Sequence, residues 1–245
     1  MTPVTRVAMW SGPRNISTAM MRSFENRQDC AVSDEPFYGC YLKRTGIDHP
    51  MAAEIIADMD CDFASVARAL NGPVPGGAPV WYQKHMSHHM LPDDPLDWAD
   101  GMVNCFLIRT PEEMVASYAK KRERPVAADF GFDRQVELFE RVRDRTGRVP
   151  PVIDAADVLR DPRGVLSALC VAVGIPFDDA MLSWPTGRRD SDGIWAAVWY
   201  HAVEASTGFQ PYAPKEIDLA PDLAAVAAAC RPAYDHMARY KLTAE

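Results

Sequence analysis

Short apolar runs alternate with segments of helical periodicity along most of the chain. Such runs predict buried β-strands over 7–10, 30–33, 80–86, 102–108 and 149–153. Apolar spacing on one helix face, or helix start and stop signals, predict helices over 17–26, 51–70 and 162–173, near Trp195, and over 220–229. Strands that alternate with helices are typical of a parallel sheet with helices on its faces. The pattern therefore predicts an α/β fold with a central, mostly parallel sheet flanked by helices.

The composition narrows the possible partners. The chain has 245 residues, of which 48% are hydrophobic and 24% charged, enough for one sizeable core. No internal repeat, low-complexity tract or clear linker interrupts it, so we interpret residues 1–245 as a single domain. The formal net charge of −8 argues against a nucleic-acid partner, which needs a basic surface. A phosphate or sulfate site in this chain must be a local basic cluster.

Membrane and metal signals are absent from the sequence pattern. We find no apolar run of the roughly 18 residues that a membrane span needs and no signal-like N-terminal segment, so we expect no membrane partner and a cytoplasmic location. The six cysteines form no C-x-x-C pair and no zinc-like spacing. Reduced thiols and no metal site are therefore expected.

A candidate phosphate loop follows the first predicted strand. The segment 11–18 reads Ser-Gly-Pro-Arg-Asn-Ile-Ser-Thr and leads into a predicted helix, an order that places backbone N–H groups and a helix N-terminus around an anion. Gly12 permits a close backbone approach, Arg14 supplies charge, and the Ser17 and Thr18 hydroxyls can donate hydrogen bonds. The alternative is an ordinary strand-to-helix turn with a Ser/Thr cap. The segment is not a Walker A motif, because Ile16 and Ser17 stand where Gly-Lys would be.

A second anion element follows the strand predicted over 102–108. Arg109 ends this strand, and Thr110 and Pro111 begin a helix that carries Ser117 eight residues after Arg109. At the carboxyl end of a strand, a guanidinium enters the crevice where α/β sheets bind ligands. The alternative is that Arg109 pairs on the surface with a glutamate of the following helix, either Glu112 or Glu113.

Together these segments resemble the nucleotide-binding elements of P-loop sulfotransferases. Segment 11–18 resembles the family's 5′-phosphosulfate loop, with Ile16 in place of the usual glycine, and the Arg109/Ser117 spacing resembles its 3′-phosphate element. The segment 188–195 is similar to the late loop that closes over the 3′-phosphate. Asp190 and Ile194 of this chain differ from the residues that the family has at these two positions. Four residues match the family's loop: Arg188, Arg189, Gly193 and Trp195.

The resemblance implies a three-layer P-loop fold and transfer of a sulfuryl group from 3′-phosphoadenosine 5′-phosphosulfate (PAPS) to a hydroxyl of a small-molecule acceptor, without a metal. The pattern resembles the bacterial small-molecule and tyrosylprotein-type sulfotransferases. The residues that the resemblance assigns to the nucleotide are Gly12, Arg14, Asn15, Ser17, Thr18, Arg109, Ser117, Arg188 and Arg189.

Three residues are candidates for the chemistry. By resemblance to tyrosylprotein-type enzymes, Glu35 after the second strand is the leading candidate for the base. Arg14 would stabilise charge on the leaving phosphate, because a guanidinium keeps its proton. His85 is the competing base, since Lys84-His85 partly resembles the Lys-Thr-His of cytosolic sulfotransferases. In a regular strand these two side chains point to opposite faces, so the choice between Glu35 and a histidine of 85–89 stays open.

Two other functions remain compatible with the sequence. A P-loop kinase would use ATP and magnesium, but the missing Gly-Lys and the lack of a clear Walker B aspartate argue against it. A non-catalytic relative would bind a nucleotide or anion through the same loop, and the Ile16 replacement and the altered 188–195 segment favour it. Neither the acceptor nor the oligomeric state is determined by the sequence.

Overall fold

The central feature of the fold is a five-stranded parallel sheet. The computed structural model describes residues 4–120, 124–214 and 216–243. Within them the strands run in the order β2-β3-β1-β4-β5, and every neighbouring pair is parallel. Their bounds are β1 Thr5–Ser11, β2 Cys30–Asp34, β3 Val80–Met86, β4 Val103–Ile108 and β5 Val152–Asp154. The predicted α/β fold with a parallel sheet is confirmed.

Helices cover both faces of the sheet. The described helices are α1 Ser17–Glu25, α2 Tyr38–Thr45, α3 Ala52–Asp58, α4 Phe63–Leu70, α5 Pro111–Tyr118, α6 Phe132–Thr146, α7 Ala155–Arg160, α8 Pro162–Val173, α9 Ala196–Trp199, α10 His201–Glu204 and α11 Pro221–Ala238. Successive side chains of β1 pack in the apolar cores on opposite faces of the sheet, because side chains alternate along a strand. Val7 and Met9 pack with α1 and α8, whereas Ala8 and Trp10 pack with α4 and α6.

Local signals explain most helix boundaries. Helix α8 begins at Pro162, with the Asp161 carboxylate accepting from the Gly164 N–H, and ends at Gly174, whose φ of 76° is left-handed. The region 51–70, expected as one helical stretch, forms two helices, and the Asp62 carboxylate caps the second by accepting from the Ser65 N–H. Helices α2 and α6 were not predicted from the sequence pattern. In the described part of the chain, no helix has the length and apolar character of a membrane span.

The strand order creates a crevice at the carboxyl edge of the sheet. Strand β1 is central, with β3 and then β2 on one side and β4 and then β5 on the other. The connection after β1 runs to β2 on one side, whereas the connection after β3 crosses β1 to reach β4 on the other side. Such a switch point is where open α/β sheets bind ligands. The loops that follow these strands carry the polar residues that the sequence analysis singled out.

Candidate functional site

A cavity of about 320 Å³ lies at this carboxyl edge. It has two sides that differ in chemistry. We define the β1/β4 side by Arg14, Ser17, Thr18, Arg109 and Ser117, and the β2/β3 side by Glu35, Lys84, His88 and His89. Neighbouring strands lie about 4.8 Å apart, so the end of β4 is about 10 Å from the end of β3. The cavity thus brings together residues that are far apart in the sequence.

The loop between β1 and α1 has a constrained backbone. Arg14 and Ile16 have positive φ values of 58° and 45°, and a left-handed conformation is unusual for a β-branched residue. The Asn15 amide fixes the loop by donating to the Leu107 carbonyl at 2.7 Å. A Cβ at Gly12 would lie 2.5 Å from the Phe130 carbonyl oxygen, so only glycine fits there. The missing loop glycine at position 16 is therefore replaced by a strained isoleucine, and no side chain caps α1.

Two guanidiniums and a hydroxyl meet on the β1/β4 side. The Nε of Arg14 donates to the Ser117 hydroxyl at 3.2 Å, and Nη1 of Arg109 donates to the Arg14 carbonyl at 2.8 Å. Arg109 also pairs with Glu113 at 3.0 Å, as one of the sequence alternatives expected. Burial, and then the nearby charge of Arg109, lower the pKa of Arg14. Because no carboxylate within the described residues pairs with Arg14, this side is suited to an anion.

On the β2/β3 side, the charged groups pair with one another. The Lys84 ammonium donates to Asp34 at 2.8 Å, to Glu35 at 2.6 Å and to the Tyr200 hydroxyl at 2.5 Å, which uses all three of its N–H bonds. Asp34 also accepts from the Tyr200 hydroxyl and from the Gly193 N–H. Both oxygens of the Asp34 carboxylate therefore have hydrogen-bond donors within reach.

Glu35 differs from its neighbour Asp34, because one of its carboxylate oxygens accepts no hydrogen bond from the residues that the structure describes. Its Oε1 accepts from Lys84, whereas Oε2 lies 3.9 Å from Nε2 of His89, beyond hydrogen-bond distance. Burial raises the pKa of Glu35, and the nearby Lys84 charge opposes that rise. The residue also has a positive φ of 44°, a backbone conformation of the kind that clusters at functional sites. Glu35 lines the cavity with a buried carboxyl group that can accept a proton.

The structure does not bring His85 to the cavity. Its ring is 4.7 Å from that of Trp10 and 5.2 Å from that of Trp98, in the apolar core on the opposite face of β3 from Lys84. Burial lowers its pKa to about 3. Of the histidines of 85–89, His88 and His89 line the cavity. They follow the strand in a short turn, where the alternation of side chains ends.

Arg188 and Arg189 also lie outside the cavity lining. The Arg188 side chain is exposed, and the Arg189 guanidinium donates to the Pro185 carbonyl at 3.1 Å. The segment that carries them is anchored to α1 by a buried ion pair between Asp192 and Arg22, at 2.6 Å. Residues just beyond it line the cavity instead, and the sequence analysis did not name most of them: Trp195, Trp199, Tyr200, Val203, Ser206, Gly208, Phe209 and Gln210.

Fold and site together define an α/β protein with a cationic loop before its first helix and a buried acid at the end of strand β2. In the described residues, no cluster of three or more His, Cys, Asp or Glu side chains is arranged for a metal ion. The family model described as "Sulfotransferase domain" matches residues 5–239. The chain belongs to this sulfotransferase domain family.

Two curated proteins of Arabidopsis thaliana are similar in sequence. "Branched-chain-amino-acid aminotransferase-like protein 2" is 35% identical over 201 residues, which are 82% of this chain and 35% of that protein. "Branched-chain-amino-acid aminotransferase-like protein 1" is 36% identical over 201 residues, 82% of this chain and 36% of that protein. The chain therefore spans about a third of the length of these relatives.

Solved structures of three bacterial-type sulfotransferases share the fold. The sulfotransferase domain of the Synechococcus PCC 7002 olefin synthase has a TM-score of 0.55 at 17% identity, covering 94% of this chain and 95% of that chain. A sulfotransferase from Alicyclobacillus acidocaldarius has a TM-score of 0.55 at 12% identity, covering 97% of this chain and 97% of that chain. The sulfotransferase domain of the curacin biosynthetic pathway has a TM-score of 0.50 at 13% identity, covering 94% of this chain and 98% of that chain. At these identities the likeness shows the fold alone.

Proposed function

We propose that this protein transfers a sulfuryl group from PAPS to a hydroxyl of a small-molecule acceptor. The observation that carries the proposal is the two-sided cavity. Two guanidiniums stand on its β1/β4 side, one of them without a carboxylate partner in the described part of the chain, and the buried Glu35 carboxyl stands on its β2/β3 side. Such a cavity can hold an anionic donor next to a hydroxyl that has to lose a proton.

Residues of the β1/β4 side would bind the donor as a P-loop does. The backbone of 13–18, with the Ser17 and Thr18 hydroxyls, would surround the 5′-phosphosulfate at the N-terminus of α1. Arg109 and Ser117 would bind the 3′-phosphate. The Arg14-to-Ser117 hydrogen bond of 3.2 Å supports two adjacent anion subsites, because it joins residues of both elements.

On the opposite side, Glu35 would accept the proton of the acceptor hydroxyl. The donor supplies the sulfuryl group: the acceptor oxygen bonds to sulfur as the bond from sulfur to the 5′-phosphate oxygen breaks, with its electron pair leaving on that phosphate. Arg14 would neutralise the charge that develops there, since its guanidinium keeps its proton. Lys84 donates all three of its hydrogens to protein partners, so its role is to hold Glu35 in place.

Calorimetry with 3′-phosphoadenosine 5′-phosphate (PAP) tests donor binding. We expect Arg14→Ala and Arg109→Ala each to raise the Kd about 10- to 100-fold, because a hydrogen bond to a charged group contributes about 1.5–3 kcal/mol. Arg148→Ala is the matched control, since Arg148 is exposed and lies outside the cavity lining. An unchanged Kd in both variants would overturn the site. Stabilisation by ATP with magnesium but not by PAP would favour the kinase alternative instead.

A transfer assay tests the reaction itself. PAPS with a radiolabelled sulfuryl group is incubated with the protein and a panel of phenols, alcohols and sugars, and labelled product is separated from PAPS. We expect labelled product with at least one acceptor, and none with Arg14→Ala at the same PAPS occupancy. PAP binding without transfer to any acceptor would support the non-catalytic alternative.

A further inference from the structure

The Tyr200 hydroxyl is the contact point of several polar groups on the β2/β3 side. It accepts from the Lys84 ammonium at 2.5 Å and from Nε1 of Trp195 at 3.1 Å. It lies 2.8 and 2.7 Å from the two carboxylate oxygens of Asp34, to which it donates its hydrogen. A phenol has one hydrogen and two lone pairs, so this hydroxyl has its full set of partners within the protein. It is therefore not available to a bound molecule, and the proposed reaction gives it no role.

These contacts join two parts of the chain that are distant in the sequence. Asp34 is the last residue of β2, and Lys84 lies in the neighbouring strand β3. Tyr200 lies between α9 and α10 with φ −101° and ψ 2°, a backbone region in which many active-site residues are found. The Gly193 N–H also donates to Asp34, at 3.3 Å. Asp34 therefore attaches the segment 193–200 to the edge of the sheet.

The Lys84 ammonium is held from three sides. Its other two N–H groups donate to Asp34 at 2.8 Å and to Glu35 at 2.6 Å, and Nζ lies 4.9 Å from the centre of the Tyr200 ring. A lysine ammonium stands on a flexible four-carbon stem, so the bonds to Asp34 and Tyr200 fix the direction of the third bond. That third bond reaches Oε1 of Glu35. It leaves Oε2 without a hydrogen bond from the described residues.

Asp34 and Glu35 compete for the Lys84 ammonium. The negative charge of Asp34 raises the pKa of Glu35, and the positive charge of Lys84 opposes that rise. The hydrogen that Tyr200 donates satisfies part of the demand of Asp34 for donors. Without this phenol, Oδ2 of Asp34 would keep, of its described donors, only the Gly193 N–H at 3.3 Å. The ammonium would then move towards Asp34 and away from Glu35.

The other titratable groups around Glu35 do not replace this cation. Burial lowers the pKa of His88 to about 3 and that of His89 well below its usual value, so both imidazoles are neutral at physiological pH. Burial raises the pKa of the Tyr38 phenol, which therefore also stays uncharged. Arg14 belongs to the β1/β4 side of the cavity. Among the described residues, the charged form of Glu35 thus depends on how Lys84 is shared.

We propose that Tyr200 is a positioning residue for Glu35 in the proposed reaction. By donating to Asp34, its hydroxyl leaves the Lys84 ammonium in contact with Glu35 and so favours the charged carboxylate that accepts a proton. The one bond from Lys84 holds Glu35 in place and leaves its second oxygen to the acceptor hydroxyl. The inference rests on the proposed function, because it takes Glu35 as the base. The Tyr200 hydroxyl acts only through Asp34 and Lys84 and takes no part in the bond-making step.

The titration of Glu35 tests the inference without any substrate. Carbon NMR follows the side-chain carboxyls of isotopically labelled glutamate in the full chain, and the Glu35 signal is the one that is missing from Glu35→Gln. We expect the midpoint of the Glu35 titration to lie at a higher pH in Tyr200→Phe than in the wild-type protein, because the variant keeps the ring but removes the hydroxyl. An unchanged midpoint would overturn the inference.

Tyr234→Phe is the matched control. The Tyr234 hydroxyl also donates to a buried carboxylate, that of Asp154 at 2.8 Å, and a guanidinium, that of Arg231, lies 5.2 Å from the centre of its ring. Tyr234 is outside the cavity lining. Both variants should lower the melting temperature, because each leaves a buried carboxylate with one donor fewer. The Glu35 midpoint should move in Tyr200→Phe alone, and an equal movement in the control would assign the effect to lost stability and contradict the inference.

Asp34→Asn should move the midpoint in the opposite direction. The amide has nearly the same size but lacks the negative charge that competes for Lys84, so Glu35 should titrate at a lower pH than in the wild-type protein. Adding Tyr200→Phe to Asp34→Asn should then change the midpoint little, since the phenol acts by satisfying the Asp34 carboxylate. Full additivity of the two shifts would contradict this route. If Tyr200→Phe does not fold, Asp34→Asn decides alone: a lower midpoint supports the sharing of Lys84, and an unchanged one overturns it.

Transfer rates connect the titration to the reaction. On the acid side of the wild-type pH profile, Tyr200→Phe should lower kcat about tenfold, the effect of one hydrogen bond to a charged group. The loss should shrink at higher pH, where Glu35 is deprotonated in both proteins, and the Kd of PAP should stay within about twofold. Tyr234→Phe should keep kcat within about twofold throughout. A loss in Tyr200→Phe that is the same at every pH would point to a merely structural role and overturn the inference.

Failure of the proposed function gives a different result. If the wild-type protein neither binds PAP nor transfers a sulfuryl group, the proposed function is overturned, whereas the NMR midpoints still show whether Tyr200 controls the charge of Glu35. If transfer occurs and the Glu35 midpoint is the same in Tyr200→Phe and the wild-type protein, only the positioning inference is overturned.

Discussion

The two sides of the cavity handle charge in opposite ways. On the β1/β4 side, Arg14 has no carboxylate partner within the described residues. The Arg109 guanidinium pairs with Glu113 and also donates to the backbone carbonyl of Arg14 in the loop. On the β2/β3 side, Lys84 is bound by two carboxyl groups and a phenol, and the histidines are neutral. An acidic chain with a net charge of −8 can therefore offer an anion site, because its positive charge is left uncompensated at one place.

This contrast assigns different work to each side. Uncompensated cations favour a ligand that brings negative charge, whereas internally paired charges hold a residue in place and leave recognition to shape and hydrogen bonds. A substitution on the β1/β4 side should thus act on the affinity for PAP and, at Arg14, also on turnover. A substitution on the β2/β3 side should act on turnover, on stability or on the choice of acceptor.

The largest effect is expected for Glu35→Gln. Removing a general base lowers kcat about 10²- to 10⁴-fold, whereas the Kd of PAP should stay within about twofold because Glu35 is on the other side. The exposed Glu54→Gln is the matched control. Initial rates of PAPS-dependent transfer and calorimetry with PAP measure the two quantities. Full turnover in Glu35→Gln would exclude Glu35 as the base and leave His89, 3.9 Å from it, as the nearest candidate.

The pH profile of the wild-type protein tests the same residue. Burial raises the pKa of Glu35. As the proposed base, Glu35 would act in its deprotonated form. The rate should therefore fall with decreasing pH as Glu35 takes up a proton, and this loss should begin at a higher pH than an ordinary glutamate would give. The acid limb should be missing from the residual rate of Glu35→Gln. An identical limb in both proteins would assign it to another group.

A large loss of stability is expected for Lys84→Met. The substitution leaves Asp34 and Glu35 buried next to each other without a cation, and breaking such a buried pair costs about 3–5 kcal/mol. Arg14→Met is the matched comparison on the other side. It should change the free energy of unfolding by less than about 1 kcal/mol, because no carboxylate of the described chain depends on Arg14.

Urea denaturation at several pH values checks the cause of this loss. Burial already raises the pKa of Glu35, and without Lys84 the charge that opposes this rise is lost, so the folded-state pKa lies further above its unfolded value. The variant is therefore least destabilised at low pH and loses stability as the pH rises towards that pKa. The deficit relative to the wild-type protein should therefore shrink between about pH 7 and about pH 4. A deficit that is the same throughout would point to lost packing instead of unpaired charge.

The two sides of the cavity differ in how much of each could be predicted from the sequence. Arg109 and Ser117 are eight residues apart across a strand end and a helix start, so local geometry alone brings both to the cavity. The Lys84 contacts with Asp34 and Glu35 join residues 50 and 49 positions apart and exist only because β2 and β3 are neighbours. Strand order is a tertiary property, and local periodicity does not contain it.

Local patterns also failed to predict the positions of His88 and His89, of helix α6 and of Tyr200. Strand alternation correctly separates Lys84 from His85, but β3 ends at Met86, so the rule gives no direction for His88 and His89 in the turn beyond it. Helix α6 was missed although its buried residues have helical spacing, at Phe132, Gln135, Leu138 and Phe139. Tyr200 was not foreseen because its hydrogen bond to Asp34 spans 166 positions.

The smallest effect is expected for Arg188→Ala, which tests how far the resemblance in the late loop extends. The resemblance assigns Arg188 to the 3′-phosphate. Its side chain is exposed, however, and the Asp192-to-Arg22 ion pair anchors the loop to α1. If the loop keeps this position when nucleotide binds, the Kd of PAP should rise less than about threefold, as expected for screened charge at a distance. Calorimetry at low and high salt measures it, with Arg148→Ala as the control. A rise of tenfold or more would mean that the loop moves onto the β1/β4 side, and Asp192→Asn, which weakens the anchor, should then tighten PAP binding.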